Sequence, residues 1–233
     1  MSSKKKTCQF SNKITIKPEF QTLFRPENFL IPRHYENCVE NILIPSGLIS
    51  DRVERMASDY YNSLTQEDRK KPILAMCVLK GANQYFNDLI QELKNLASHD
   101  KEQPPQILVD FVRLKSYSNT ESTGNVQVIG MDDLEDITDK HLLIVEDMVD
   151  TGRTLKKLMD ILEKYKPASV KITTLLQKST DNKLADRIEP DMVGFEVPDA
   201  FIIGYGIDYN ENFRDLKHVC TISKFGIDKY KQK

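Results

Sequence analysis

The sequence has few cysteines, few glycines and prolines, and no long hydrophobic run. Its four cysteines stand far apart without a C-x-x-C pair, which argues against a disulfide framework or a zinc site, so we expect reduced thiols. With 9 Gly, 10 Pro and 39% hydrophobic residues, the composition is neither fibrous nor disordered. The longest apolar run, Ile73 to Leu79, is too short to span a bilayer. We therefore expect a globular, cytoplasmic protein.

The chain also lacks a strong net charge of either sign. Its 33 Lys and Arg against 35 Asp and Glu give a formal charge of −2. Nucleic acids and anionic membranes favour a basic surface, so neither is expected as a partner. Lys4, Lys5 and Lys6 predict a mobile basic tail, and no apolar segment follows them to form a secretory signal. A small anionic ligand stays open, because it needs only a local positive site.

Short apolar runs alternate with amphipathic stretches along the chain. This pattern predicts an α/β fold with a largely parallel central sheet flanked by helices. The expected strands are 73–79, 107–114, 126–130, 142–145, 170–176, 201–205 and 219–222, and the expected helices are 48–62, 82–96 and 152–165. The polar stretch 115–125 predicts a mobile loop. We expect a single domain over 1–233, with a core at about 48–177 and a small cap formed by about 10–47 and 178–233.

The most informative segment is 142–155, with the sequence LLIVEDMVDTGRTL. Four apolar residues predict a buried strand that ends in Glu146 and Asp147, and Asp150 follows just before a predicted helix. Ligands of open α/β sheets bind beyond the carboxyl ends of the strands, and a helix N-terminus attracts anions. Carboxylates beside such a helix end suit a ribose phosphate, with or without Mg²⁺. Alternatively, Asp150 or Thr151 only caps the helix and the other acids are solvated.

Several common site motifs are missing. There is no G-x-x-x-x-G-K-[ST] phosphate loop, no H-E-x-x-H zinc motif and no G-x-S-x-G nucleophile motif. Gly204-Tyr205-Gly206 has Tyr209 where a dinucleotide-binding fingerprint needs its third glycine. The sequence therefore does not predict a Walker-type nucleotide site, a dinucleotide enzyme, a metalloprotease or a serine hydrolase.

The segment VEDMVDTGRT resembles the phosphoribosyl-diphosphate-binding motif of type I phosphoribosyltransferases. Further stretches occur in the family's order, namely Leu79-Lys80-Gly81-Ala82, Arg113 to Tyr117 with Ser122-Thr123-Gly124, and Asp208 to Glu211 with Phe213-Arg214-Asp215. Together they resemble the hypoxanthine-guanine group of the eukaryotic type, over about 29–230. The resemblance implies the type I phosphoribosyltransferase fold. It also implies transfer of a phosphoribosyl group to hypoxanthine or guanine, giving IMP or GMP and diphosphate.

The resemblance implies roles for individual residues. Asp150 would be the catalytic general base at purine N7, where a carboxylate stabilises the charge that forms as N9 attacks. Glu146 and Asp147 would bind the ribose hydroxyls, partly through Mg²⁺, and Asp208 would also belong to the magnesium site. Lys178 would bond purine O6, which would reject adenine because an amino group does not accept that bond.

The other substrate-binding residues follow from the same resemblance. They are Lys80, Gly81, Ser116, Tyr117, Met148, Val149, Thr151, Gly152, Arg153, Thr154, Ala200, Phe201, Ile202 and Arg214. Residues 150–154 would hold the 5′-phosphate, and Lys80, Gly81 and Arg214 would bind diphosphate, with a cis peptide bond before Lys80. Phe201 would stack on the purine while the backbone of Ile202 reads its edge. The loop with Ser116 and Tyr117 would close over the transition state.

The sequence departs from the family pattern at Ala82, Arg153 and Gln177. A methyl group at Ala82 fits if its φ is negative, and Arg153 keeps a cation beside the phosphate. Two other functions stay open, namely a non-catalytic homologue that regulates a partner or binds RNA, and an aspartate-nucleophile phosphatase. The resemblance further implies a homodimer or homotetramer.

Overall fold

The computed structural model describes residues 10–17, 23–116, 126–130, 134–150, 152–179 and 188–232. These residues form a seven-stranded sheet and a three-stranded sheet. In spatial order the larger sheet contains β1 (Ile14–Thr15), β8 (Met192–Val197), β7 (Ser169–Lys178), β6 (His141–Val149), β3 (Ile73–Leu79), β4 (Ile107–Ser116) and β5 (Val126–Ile129). The smaller sheet contains β2 (Val39–Ile44), β10 (Val219–Ile222) and β9 (Ile202–Ile203). The predicted basic tail lies outside the described residues.

The larger sheet is parallel except where β5 returns antiparallel to β4. β3 lies between β4 and β6, and its residues from Ile73 to Val78 are buried. A strand covered on both faces needs such a continuous apolar run. The predicted α/β fold with a largely parallel central sheet is therefore confirmed.

Helices cover both faces of this sheet. α1 (Ser46–Ser63) and α2 (Asn83–His99) pack on one face, where α2 buries Tyr85, Phe86, Leu89, Ile90 and Leu93 at helical spacing. α3 (Arg153–Leu162) packs its leucines on the other face. In the described part of the chain, no helix is long and apolar enough to cross a membrane.

The smaller sheet joins segments from the two ends of the chain. β10 pairs antiparallel with β2 and with β9. Beside it, Tyr35 accepts a hydrogen bond from the Phe213 N–H at 2.8 Å and donates one to Asp215 at 2.8 Å. α4 (Lys224–Tyr230) follows, capped by Ser223, whose hydroxyl accepts from the Gly226 N–H at 3.0 Å. The division into core and cap stays a prediction.

Several predicted boundaries were wrong. β6 continues past Val145 to Val149, because the backbone around Glu146 and Met148 pairs with β7. β7 likewise continues through Lys178, where it pairs with β8. The acidic residues therefore lie within a strand, since pairing with a neighbouring strand outweighs the polarity of their side chains.

β1 and β2, which precede α1, were not predicted, and two further elements in the C-terminal third were also missed. They are β8, which contains Gly194, and α4, which contains Gly226. The predicted strand 201–205 is reduced to the two residues of β9. The reason is that Gly204, Tyr205 and Gly206 all have positive φ, which ends the extended backbone.

Candidate active site

The carboxyl ends of the parallel strands bring the predicted site residues to one edge of the larger sheet. Val145 of β6 pairs with Cys77 of β3, so the acidic end of β6 runs beside the end of β3. Val149 pairs with Gln177, so Asp150 and Lys178 leave the edge on neighbouring strands. Paired strands lie about 5 Å apart, which places the proposed base and the proposed O6 ligand side by side.

A cleft of about 290 Å³ opens at this edge between β6 and the start of α3. Six predicted site residues line it, namely Glu146, Met148, Val149, Asp150, Gly152 and Thr154. The rest of the lining is apolar: Val78, Leu79, Leu114 and Leu155. The cleft therefore combines carboxylates, an apolar wall and the beginning of a helix.

α3 begins at this cleft with Gly152 as its N-cap, at a φ of 70°. Since glycine has no side chain, it leaves the first N–H groups of α3 without a cap from that position. The alternative that Asp150 or Thr151 is the N-cap was wrong. The predicted loop 115–125 begins later than expected, because β4 continues through Ser116. Residues 117–125, including Tyr117, lie outside what the structure describes, as do Thr151 and the side chains of Ser116 and Arg153.

Glu146 and Asp147 form a half-buried pair of carboxylates. Burial raises the pKa of Glu146 well above its usual value, and the neighbouring charge of Asp147 raises it further. Burial likewise raises the pKa of Asp147, although its Oδ1 accepts a hydrogen bond from the Met148 N–H at 2.7 Å. Because both acids lose their protons less readily than usual, a cation beside them stabilises their charged forms.

The loop after β3 lies directly against this pair. The Leu79–Lys80 peptide bond is cis, as the resemblance implied. A Cβ atom at Gly81 would lie 1.6 Å from Oδ2 of Asp147, so only glycine leaves room for this carboxylate. A Cβ atom at Gly206 would lie 2.3 Å from the Gly81 carbonyl oxygen. Ala82 has a φ of −69°, so its methyl group is accommodated as predicted.

A charged cluster stands beside this loop. Arg214 Nη2 lies 2.7 Å from Oδ1 of Asp208, and Arg214 Nη1 donates to the Gly206 carbonyl at 2.8 Å. Lys80 Nζ donates to both carboxylate oxygens of Glu211, at 3.1 and 3.0 Å. The structure thus brings together the predicted residues Lys80, Asp208 and Arg214 through an acid to which the sequence analysis gave no role.

Lys178 ends β7 with a side chain that is only 17% exposed. Its Nζ donates to Oδ1 of Asp199 at 2.9 Å. This ion pair orients the ammonium group at the same edge as Asp150. Asp199 is a further residue that the sequence analysis missed, although it directly precedes the predicted residues 200–202.

The predicted base-binding segment follows Asp199. Phe201 is 52% exposed, and its ring meets that of Tyr209 edge to face at 5.3 Å. Ile202 is buried in β9 and pairs with Thr221, and the Ala200 N–H donates to the Pro198 carbonyl at 2.8 Å. An exposed aromatic ring held by a second ring offers a face for stacking.

The predicted magnesium ligands do not converge as one cluster. Within the described ranges, no group of three or more His, Cys, Asp or Glu residues could hold a metal ion. Glu146 and Asp147 are neighbours, whereas Asp208 faces Arg214. Proteins often bind Mg²⁺ through one or two carboxylates that share it with substrate phosphates and water. The carboxylate pair fits such a site.

The comparisons with known proteins agree with this geometry. A family model described as "Phosphoribosyl transferase domain" matches residues 42–210. The hypoxanthine-guanine phosphoribosyltransferases of Rattus norvegicus and Homo sapiens are 48% identical over 203 residues, which cover 87% of this chain and 90% of each relative. The Homo sapiens protein "Phosphoribosyltransferase domain-containing protein 1" is 46% identical over 87% of both chains.

A solved structure gives the same result in three dimensions. It is the hypoxanthine-guanine phosphoribosyltransferase from Schistosoma mansoni in complex with IMP, which superposes with a TM-score of 0.74 at 34% identity. The match covers 94% of this chain and 100% of that one. The resemblance that four short stretches indicated is therefore confirmed along most of the chain. The chain belongs to the phosphoribosyltransferase family, within its hypoxanthine-guanine group.

Proposed function

We propose that this chain catalyses the Mg²⁺-dependent reaction of hypoxanthine or guanine with 5-phosphoribosyl-1-diphosphate. The products are IMP or GMP and diphosphate, which makes it an enzyme of purine salvage. The observation that carries the proposal is the cleft in which Glu146, Asp150 and the N-terminus of α3 meet. The substrate requires this combination, because it joins a phosphate to a ribose with free hydroxyls.

The helix end binds the 5′-phosphate. The N–H groups that follow Gly152 point out of α3 toward the cleft end, where the partial positive charge of the helix favours an anion. Thr151, Arg153 and Thr154 complete this subsite. Met148 and Val149 line the cleft, and we assign them to the ribose.

Glu146 and Asp147 hold the ribose hydroxyls, partly through Mg²⁺, and Asp208, which stands apart from this pair, belongs to the outer coordination shell of the magnesium site. A divalent cation suits this pair because it relieves the repulsion and burial that raise the pKa of both acids. Bound there, Mg²⁺ supplies positive charge to the ribose hydroxyls and the diphosphate. The contact between Arg214 and Asp208 keeps the third carboxylate oriented.

Asp150 is the general base. As N9 of the purine forms its bond to C1′ and the bond from C1′ to the diphosphate oxygen breaks, N7 loses its proton to this carboxylate. Asp150 is exposed at the cleft, within reach of a base that lies against Lys178 on the neighbouring strand. Proton transfer of this kind contributes about 10²–10⁴-fold to a rate.

Lys178, Phe201 and Ile202 select and hold the purine. The ammonium group of Lys178, oriented by Asp199, donates to O6 of hypoxanthine or guanine. Adenine offers an amino group at this position, and an amino group does not accept the hydrogen bond that Lys178 donates. The ring of Phe201 stacks on the purine, and the backbone from Ala200 to Ile202 reads its far edge.

The leaving diphosphate binds to Lys80, Gly81 and Arg214. Its charge increases as the glycosidic bond breaks, so cations and backbone N–H groups stabilise the transition state. The loop with Ser116 and Tyr117 closes over this state and keeps water from the ribosyl centre. A homodimer or homotetramer, and a single domain over 1–233 with its core at about 48–177, are part of this proposal.

One assay separates the proposal from its alternatives. The chain is incubated with Mg²⁺, 5-phosphoribosyl-1-diphosphate and, separately, hypoxanthine, guanine, xanthine or adenine. We expect diphosphate release with hypoxanthine or guanine and none with adenine. Nucleotide binding without diphosphate release would favour a non-catalytic homologue, and release of inorganic phosphate would favour a phosphatase.

A further inference from the structure

Glu211 joins the two cations that the proposed function assigns to the diphosphate group. Lys80 Nζ donates to its Oε1 and Oε2 at 3.1 and 3.0 Å, and Arg214 Nη2 donates to Oε2 at 3.3 Å. These are the donor groups that the oxygens of a bound diphosphate need. The carboxylate of Glu211 and a diphosphate therefore require the same hydrogen-bond donors.

The backbone of Glu211 is fixed, whereas its side chain is 62% exposed. Its N–H donates to Oδ2 of Asp208 at 2.8 Å. Tyr209 and Asn212, on either side, exchange backbone hydrogen bonds of 3.1 Å in both directions. The carboxylate can thus rotate away from the cations into solvent without any change in the turn that carries it.

The two cations depend on Glu211 to different degrees. Arg214 is also held by the Gly206 carbonyl at 2.8 Å and by Asp208 at 2.7 Å. Its buried Nε has no hydrogen-bond partner within the described ranges. Within the residues that the structure describes, Lys80 Nζ makes two hydrogen bonds, and both are to the carboxylate of Glu211. Moving the carboxylate away releases Lys80 while Arg214 stays in place.

The carboxylate of Glu211 lies between two cations, Lys80 and Arg214, that both contact its oxygens. A diphosphate that approached the same donors would meet a negative charge at close range. Like charges that share one set of donors weaken each other's binding.

We propose that Glu211 is a positioning residue that competes with the diphosphate group for Lys80 and Arg214. It holds the two cations together before the substrate binds, and it weakens the binding of the diphosphate product, which therefore leaves sooner. The inference rests on the proposed function, in which these cations bind diphosphate. It adds a residue that tunes release of the leaving group.

Diphosphate affinity tests the competition directly. Titration calorimetry with inorganic diphosphate and excess Mg²⁺ is carried out on the parent chain and on Glu211→Gln and Glu211→Asp. Glu211→Gln removes the charge and keeps the shape of the side chain. We expect this variant to bind diphosphate about 3- to 10-fold more tightly, which is the size of effect typical of exposed ion pairs, here with two cations. Glu211→Asp keeps the charge and should bind diphosphate nearly as the parent chain does. The gain in diphosphate affinity should shrink as salt is added, because salt screens the charge of Glu211.

A matched control removes the same charge elsewhere. Glu67 is 80% exposed, pairs with Lys70 at 2.6 Å and precedes β3, which places it at the opposite edge of the sheet from Lys80. Glu67→Gln should leave diphosphate affinity unchanged. IMP, titrated in place of diphosphate, should bind Glu211→Gln and the parent chain alike, because it does not reach the two cations.

The outcomes separate the two proposals. Diphosphate binding by the parent chain with an equal or weaker affinity in Glu211→Gln would overturn the competition and leave the proposed function standing. No diphosphate binding by the parent chain would overturn both. Tighter binding of IMP as well as diphosphate would mean a general charge effect, and it would also overturn the role of Glu211.

Discussion

At the scale of single residues, Asp150 carries the proposed proton transfer. Asp150→Asn removes the basic carboxylate with little change in volume. We expect kcat to fall about 10²–10⁴-fold, because the asparagine cannot accept the N7 proton. Binding of 5-phosphoribosyl-1-diphosphate, followed by calorimetry, should change little. Asp160→Asn, which alters an exposed acid later in α3, serves as the control. If substrate binding in Asp150→Asn fell as much as kcat, Asp150 would be a substrate anchor and not the base.

Gly81 leaves the space that the Asp147 carboxylate occupies. In Gly81→Ala, the new Cβ would lie 1.6 Å from Oδ2 of Asp147, so the carboxylate must move. We expect the KM for 5-phosphoribosyl-1-diphosphate to rise about tenfold or more, equal to about 1.4 kcal/mol. In Gly47→Ala, the new Cβ would meet no atom within 4 Å beyond its chain neighbours and its own helix backbone, so activity should be unchanged. Equal kinetics in both variants would contradict the close contact.

Lys178 is expected to act on the base rather than on the chemistry. Lys178→Ala removes a charged hydrogen-bond donor worth about 1.5–3 kcal/mol, so the KM for guanine should rise at least about tenfold, with a smaller change in kcat. Lys171 lies earlier on β7 and pairs with Asp191 at 2.6 Å, as Lys178 pairs with Asp199. Lys171→Ala should therefore leave both constants unchanged. Unchanged guanine affinity in Lys178→Ala would refute its assignment to O6.

At the scale of elements, the edge of the larger sheet depends on one buried side chain of α1. Arg52 donates to the Gly194 carbonyl at 3.1 Å, and its Nη2 donates to the carbonyls of Asn12 and Val193, both at 2.9 Å. Its Nη1 donates to the Ser11 hydroxyl at 2.9 Å. β1 has only two residues, so we infer that Arg52, more than strand pairing, holds this segment to β8.

Arg52→Met should lower the free energy of unfolding by about 2–4 kcal/mol, since the buried Gly194 carbonyl and the carbonyls of Asn12 and Val193 lose their donor. The Ile16 N–H, which bonds the Glu196 carbonyl at 2.8 Å, should exchange with deuterium faster. Arg55→Met is the control, because Arg55 is 63% exposed and pairs only with Asp59 on the same helix within the described residues. That variant should lose less than about 1 kcal/mol. An equal loss of stability in both variants would refute the inference that Arg52 holds this segment to β8.

The elements also differ in how far the sequence predicted them. β3 was predicted to the residue and α2 to within three residues, because each carries its own apolar pattern. The end of β6 was not, because Glu146 and Asp147 are polar and enter the strand only through pairing with β7. β8 contains a glycine whose carbonyl meets Arg52, a contact between residues far apart in sequence.

At the scale of the whole molecule, His218 connects the C-terminal segment to α1. Its Nδ1 accepts a hydrogen bond from the Ser46 N–H at 2.9 Å, and its ring meets that of Phe29 at 5.1 Å. Burial, with a smaller effect of Lys217, lowers the pKa of His218 below its usual 6.5. The folded chain thus binds this proton less well than the unfolded chain does.

Stability should therefore depend on pH through His218. Its contribution is complete above about pH 6.5 and is lost as pH falls from there toward the folded pKa. Urea unfolding at pH 7.5 and pH 5.0 should show a smaller loss of stability on acidification in His218→Gln than in the parent chain. His99→Gln changes an exposed histidine, and it should lose as much stability on acidification as the parent chain does. The same loss in all three proteins would contradict the role of His218.

The sequence by itself determined the fold class, the family, and the residues from 146 to 154 on which the proposed chemistry depends. Those features are local, since the buried strand, the acids near its end and the helix start that follows are contiguous in the chain. Only the tertiary structure decided how Glu211 links Lys80 to Arg214, how Asp199 orients Lys178, and why position 81 must be glycine. Each of these is a contact between segments far apart in sequence, and their distances are set by strand pairing and core packing that no local pattern contains.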